Sequence, residues 1–402
     1  MDREKFVKSI RRLSITLESE HFILRYGLRN PREGKGLGPD GVANSVLVRS
    51  YRNSLETLYQ TMTRPPWNRQ APEVGTYGKT IVYICDIDYP FTGQFRAEDA
   101  PFIALPSRSR EPTNEAALRR AAAEAIHEAV HVFNYSKRPF AEAFSAKWQW
   151  FDEALAIYLE SYVLPGNHDY FRYMANWVDW LGIPMNDWAV EYQACFFVQY
   201  LGPELANQVW MESEEHETPL QALQRLAPAK RGLEFAHPDK QDLFASGYSM
   251  DCYFLRDHAS VCFSPELCSR FGDRAVVASG SISRDAPALI FEGKLAHLAC
   301  NYFRVYPHRG VDRLRIVMRP GAGSQTKLKA EVAIAYPDFH RGKVTTLLAG
   351  PAAHSDGSRS AEIDDLPSHD LNHVVIVVTN CHLEDATGTY LSESFQIEVT
   401  AH

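Results

Sequence analysis

His127-Glu128-Ala129-Val130-His131 sets two imidazoles one helical turn apart, with a carboxylate directly after the first. Residues four apart on a helix project from one face. Imidazole nitrogens aimed at one point are donors that suit zinc, and a glutamate beside the first of them is placed to act as general base. Fifteen histidines in 402 residues give about half of one His pair at this spacing by chance, and requiring Glu after the first lowers that to a few in a hundred. A zinc ion that does chemistry takes three protein ligands and keeps its fourth position for water, so a third ligand is required.

Downstream, Trp150-Phe151-Asp152-Glu153-Ala154-Leu155-Ala156-Ile157-Tyr158-Leu159-Glu160 offers Glu153 on a second apolar-periodic helix. This run resembles the Asn-Glu-Gly-x-Ala-x-Tyr-x-Glu helix of the gluzincin metallopeptidases, the group that includes thermolysin and the zinc aminopeptidases. The resemblance implies Zn2+ held by His127, His131 and Glu153, with Glu128 as the base and Glu160 supporting the site from behind. Asp152 stands where the family has Asn, and Ala154 where it has Gly. Neither is a ligand, so these departures bear on subsite detail more than on metal binding. Gluzincins also supply a Tyr or His from a later helix to stabilise the oxyanion. Tyr192 is the first candidate for that role, with Tyr248 and His258 as alternatives.

The elements that must position these groups are legible in outline. His21 to Tyr26 alternates like a half-buried strand, and Thr80 to Cys85 is rich in β-branched and aromatic residues like an inner one. A helix is expected from about Ala43 to Met62, stopped before Pro65-Pro66. Pro101 to Pro106 is short and proline-bracketed, which suits an edge strand. By its position just ahead of the motif helix, the segment Ile103 to Leu105 resembles the gluzincin strand against which an extended peptide pairs. The motif helix is expected to start at the capping candidates Thr113 and Asn114 and to end near Asn134, and the Glu153 helix to run from Trp148 to Val163. Helical periodicity returns from Tyr192 to Leu201, after Gly202-Pro203, around Leu220 to Leu226, and again at Tyr248 to Leu255 and Pro265 to Phe271. Beyond about Leu295, short alternating runs at 314–318, 328–335, 344–348, 374–379 and 395–399 are separated by turn residues. The expected fold class is therefore α+β. A zincin-like catalytic domain over 1–283, with a mixed sheet and a helical subdomain at about 164–283, precedes an all-β sandwich over 284–402.

A formal charge of -8 gives no long-range attraction for phosphate backbones or anionic lipid, which argues against nucleic acid and membrane surfaces as partners. The first twenty residues are charged and lack the apolar stretch of a secretory signal, and no run approaches a membrane span. The expected location is cytoplasmic, with a leaderless export route or a removed leader as the alternatives. Seven scattered cysteines do not read as a disulfide framework and are expected to be buried thiols. The function these readings imply is zinc-dependent hydrolysis of peptide bonds, with a lean toward internal cleavage. The alternatives are a zinc hydrolase of another amide or ester, and a catalytically silent binding protein on the same fold.

Overall fold

Three apolar runs in the first part of the chain form the centre of a five-stranded sheet. Its strands are β1 (Ile15–Glu18), β2 (Phe22–Tyr26), β3 (Thr80–Cys85), β4 (Phe91–Gly93) and β5 (Phe102–Pro106), in the order β1-β2-β3-β5-β4. β2, β3 and β5 are parallel, and β1 and β4 run antiparallel at the two edges. Parallel strands covered on both faces read as continuous apolar runs, and all five residues of β5 are buried. The segment around Ile103 to Leu105 is thus an inner strand and not the expected edge. β4 takes the edge, and its three residues are too few to show a period. Phe22, Ile23 and Leu24 are all buried for the same reason, since β2 also lies inside the sheet.

This is a computed structural model of 402 residues. It describes residues 6, 10, 13–27, 45–72, 74, 77–85, 87–95, 99–107, 114–143, 145–165, 183–184, 186–231, 276–297, 299–321, 328–335, 341–347, 358–364, 366, 371, 373–380 and 392–402. The chain divides into two units, Met1–Arg172 with Ala194–Ser213, and Tyr173–Gln193 with Glu214–His402. Helices and mixed sheets both contribute, so the fold class is α+β.

The helices are α1 (Ser45–Met62), α2 (Glu115–Tyr135), α3 (Phe140–Ala143), α4 (Gln149–Val163), α5 (Cys195–Met211) and, in the second unit, α6 (Pro219–Arg231). α1 buries Leu47, Val48, Tyr51, Leu55, Leu58 and Met62, the spacing of a single helical face. The Tyr51 hydroxyl donates to the Pro106 carbonyl at 2.8 Å, which ties α1 to the end of β5. The Asn114 side chain caps α2 by accepting the Ala117 N–H at 2.9 Å; Thr113 lies outside the described residues. Ala121, Ala122, Ala125 and Ala129 are buried along α2, and these small side chains let α1 and α4 pack closely against it. α4 is buried without a break from Trp150 to Glu160. α5 breaks at Gly202, whose φ of 74° is open to glycine at little cost, and Pro203 follows where a new helical segment begins.

The second unit carries two sheets. Its strands are β6 (Val276–Ile282), β7 (Ala288–Leu295), β8 (Cys300–Pro307), β9 (Leu314–Pro320), β10 (Leu328–Ala335), β11 (Arg341–Leu347), β12 (Arg359–Ile363), β13 (His373–Asn380) and β14 (Glu393–Ala401). They order as β11-β10-β13-β8-β6 and β12-β9-β14-β7. Both sheets send residues into one core, among them Phe291, Phe303, Ile316, Val332, Ile376 and Ile397. β14 alternates, with Phe395, Ile397 and Val399 inward and Gln396 and Glu398 on the other face, where Glu398 meets Arg319 at 2.6 Å. β6 pairs parallel to β8, so these sheets begin before the expected boundary at 284. Among the described residues Cys85, Cys195 and Cys300 are free and buried. No helix among them is long and apolar enough to cross a membrane. The helices expected at Tyr248 to Leu255 and Pro265 to Phe271 lie outside the described residues.

Candidate metal centre

α2 and α4 pack against each other and bring His127, His131 and Glu153 together. His127 Nε2 is 3.0 Å from Glu153 Oε2, and His131 Nε2 is 3.6 Å from the same oxygen. Zinc bonds of about 2.0–2.1 Å at tetrahedral angles would place ligand atoms roughly 3.4 Å apart, so the three groups have the spacing and the chemistry of a zinc donor set.

The imidazoles are aimed from behind. His127 Nδ1 lies 2.9 Å from Glu160 Oε1, and His131 Nδ1 lies 2.9 Å from Asp152 Oδ2. A carboxylate only accepts, so each Nδ1 carries a proton and donates it, and each Nε2 is the nitrogen turned toward Glu153. Glu160 thus stands where the sequence placed it, and Asp152 holds the second ring. One heptad-like step explains this economy: Glu153 and Glu160 are two turns apart on α4 and share a face, while Asp152 sits one residue over toward His131.

The centre is densely charged and largely buried. Glu128, His131, Asp152, Glu153 and Glu160 are buried, and His127 is half-buried. Burial pulls the His127 pKa down, but hydrogen bonds to Glu153 and Glu160 outweigh it and push the ring up to about 10. His131 is likewise raised well above the ordinary range: burial opposes the charge, and the carboxylates of Asp152 and Glu153 overcome it. Burial also penalises the Glu153 carboxylate, yet the two imidazoles hold it well below its usual range. Glu128 is raised, mainly by burial, with the two histidines opposing.

Glu128 is the neighbour of a candidate ligand but does not join the cluster. Its carboxylate is met by Thr92 of β4, whose hydroxyl lies 2.9 Å from Glu128 Oε2 and 2.7 Å from the Glu128 carbonyl oxygen. A hydroxyl has one proton, so Thr92 donates to one of these at a time. Edge strand and α2 therefore share this contact.

Tyr192 is half-buried in a turn at 191–194, ahead of α5 and not on it, and falls in the second unit. Tyr248 and His258 lie outside the described residues. Thr92, Asn134 and Arg69 were not singled out from the sequence. Asn134 had a signal, because it continues the His127 and His131 face at three residues past His131. Thr92, in a three-residue strand, and Arg69, in an irregular segment, had none.

A second group, Glu20, His21 and Glu56, also brings potential ligand atoms together. Here both Glu56 oxygens are occupied, one by the His21 backbone N–H at 2.9 Å and the other by His21 Nδ1 at 2.7 Å. Tyr59 stacks on the His21 ring with centroids 3.5 Å apart. This arrangement clamps the start of β2 to α1.

No protein-family model matches this sequence, and no curated protein does. Among solved structures, the chain is similar to the Aeromonas hydrophila PliG, a periplasmic lysozyme inhibitor of g-type lysozyme, at 13% identity and a TM-score of 0.19, over 31% of this chain and 98% of that one.

Proposed function

We propose that this chain is a zinc-dependent peptidase of gluzincin type, in which a zincin-like catalytic domain is followed by a β-sandwich. The observation that carries the reading is the paired restraint behind the rings: Asp152 and Glu160 each hold an Nδ1, and both Nε2 atoms converge on one oxygen of Glu153. His127, His131 and Glu153 would hold the ion. Zinc, when bound, acidifies water and polarises a carbonyl.

The chain's own groups supply the rest. Glu128 is buried, is oriented by Thr92, and feels the charges of His127, His131 and Glu153. It takes the proton of the attacking water and returns it to the leaving nitrogen. Burial raises its pKa, which helps it to hold that proton between the two events. β4 lies at the sheet edge beside this carboxylate, so an extended substrate adding to the sheet would present its backbone to the base. That favours a peptide over a small ester.

The test is metal analysis combined with cleavage of a random peptide library by the wild type, the chelated protein and Glu128→Gln. One equivalent of zinc, chelator-sensitive cleavage and loss of roughly 100-fold or more in kcat with zinc retained in the variant are expected. Equal turnover by wild type and variant would remove Glu128 as the base.

A further inference from the structure

Arg69 follows α1 in a tight turn. The backbone N–H groups of Trp67 and Asn68 donate to the Arg64 carbonyl, each at 2.9 Å, and that of Arg69 donates to the Met62 carbonyl at 2.7 Å. Asn68 takes a positive φ of 43°, a conformation Asn tolerates better than most side chains. The turn sends Arg69 inward, where it is 3% exposed. Asn207 of α5 fastens both parts of this segment: its amide donates to the Trp67 carbonyl at 2.5 Å and its oxygen accepts from Arg69 Nε at 2.9 Å.

From the guanidinium a line of hydrogen bonds runs to the metal centre. Arg69 Nη1 donates to Asn134 Oδ1, Asn134 Nδ2 donates to Asp152 Oδ1, and His131 Nδ1 donates to Asp152 Oδ2 at 2.9 Å. The direction of every link is set by its first member. A guanidinium can only donate, so the Asn134 amide must turn its oxygen to Arg69 and its NH2 to Asp152. Asp152 then has an oxygen left for the Nδ1–H of His131, and the Nε2 of that ring faces Glu153. Asn134 is fully buried and Asp152 nearly so, which leaves solvent no opening to substitute for a missing link. The same buried guanidinium also offsets the Asp152 charge, whose attraction opposes the burial that lowers the Arg69 pKa to about 9 and leaves it charged at neutral pH.

We propose that Arg69 is a positioning residue for the metal, acting through Asn134 and Asp152 to fix which nitrogen of His131 faces the ion. This rests on the metal-binding reading above and extends it to a residue remote from the ligands. A buried arginine that only braced the loop would affect folding and leave zinc affinity alone.

The experiment measures the zinc affinity of the full chain by competition with a chromogenic chelator, for wild type, Arg69→Met and Arg69→Lys, with thermal melts alongside. Arg69→Met is expected to weaken zinc binding by about 10- to 100-fold in protein that remains folded at the assay temperature. Arg69→Lys keeps the charge but loses the planar fork, so it should fall between the two; it also carries the test should the methionine variant fail to fold. Long-range nitrogen–proton NMR correlations on the zinc-loaded protein should show His131 Nδ1 protonated in the wild type and a mixture of forms in the lysine variant. Zinc binding by the folded variants equal to that of the wild type would overturn this inference alone. Absence of zinc binding by the wild type would overturn it together with the peptidase reading.

Discussion

Loading the centre with zinc should release about two protons per ion near neutral pH. His127 holds its proton up to about pH 10, and His131 is also raised well above the ordinary value of 6.5. Both rings are therefore imidazolium in the metal-free protein at pH 7, and each Nε2 must lose its proton before it can coordinate. Each displaced proton makes affinity vary about tenfold per pH unit, so two give roughly 100-fold per unit across pH 6.5 to 8. Calorimetric titration with zinc in buffers of different ionisation enthalpy counts the protons, and chelator competition across the same range gives the slope after correction for the chelator's own titration. The histidines stabilise the metal-free fold fully below about 6.5 and lose that contribution as pH climbs through about 10 for His127. Glu153, with its pKa lowered, contributes above its ordinary value of 4.5 and loses that as pH falls toward its folded value. Metal-free protein should thus lose stability on going alkaline while zinc affinity rises. A proton count near zero, with affinity flat between pH 6.5 and 8, would refute the view that hydrogen bonding to carboxylates governs these rings.

Thr92→Val keeps the shape but removes the hydroxyl that meets Glu128; kcat on a cleaved peptide should fall by about tenfold, the scale of one charge-assisted hydrogen bond, with zinc content unchanged and Thr92→Ser recovering most of it. In the second unit, a Cβ on Gly293 would run into the Phe395 ring, so Gly293→Ala should cost about 1–3 kcal/mol by denaturant melt, and a neutral result would show that the ring has room to move. Asn114→Ala removes the α2 cap and should lower stability by about 1 kcal/mol without altering zinc affinity, which chemical denaturation and metal competition together check.

Long elements with strong patterns were legible, and so were His127, His131 and Glu153, the groups they bring together. α1, α2 and α4 match the expected helices to within about two residues, because helical faces of apolar residues persist over several turns. β10 spans the residues read as a strand, and β9, β13 and β14 extend the runs seen by a residue or two at their ends. β6, β7, β8 and β12 went unread: β6 holds Gly280 and mixes small polar residues with Val and Ile, and β12 is only five residues long. At the centre, HExxH spacing and the Glu153 run gave the three groups that converge. The groups that orient them were harder, because orientation is a tertiary matter. Asp152 hydrogen-bonds across to another helix, Thr92 reaches in from a strand of three residues, and Arg69 arrives from a turn with no period at all. Likewise the order of strands in a sheet is not written in any one strand, which is why β5 was taken for the edge.

In the proposed peptidase, the hydroxyl of Thr92 couples the docking of substrate to the base. The tether that steadies the proton carrier is mounted on the outermost strand, the same strand that an incoming segment would lengthen the sheet against. A well-seated guest would stiffen that strand and hold the carboxylate on target, whereas one that grazes the edge would leave the strand, and with it the carboxylate, free to wander. Discrimination among guests would then arise from how firmly each docks, before any side-chain pocket is consulted.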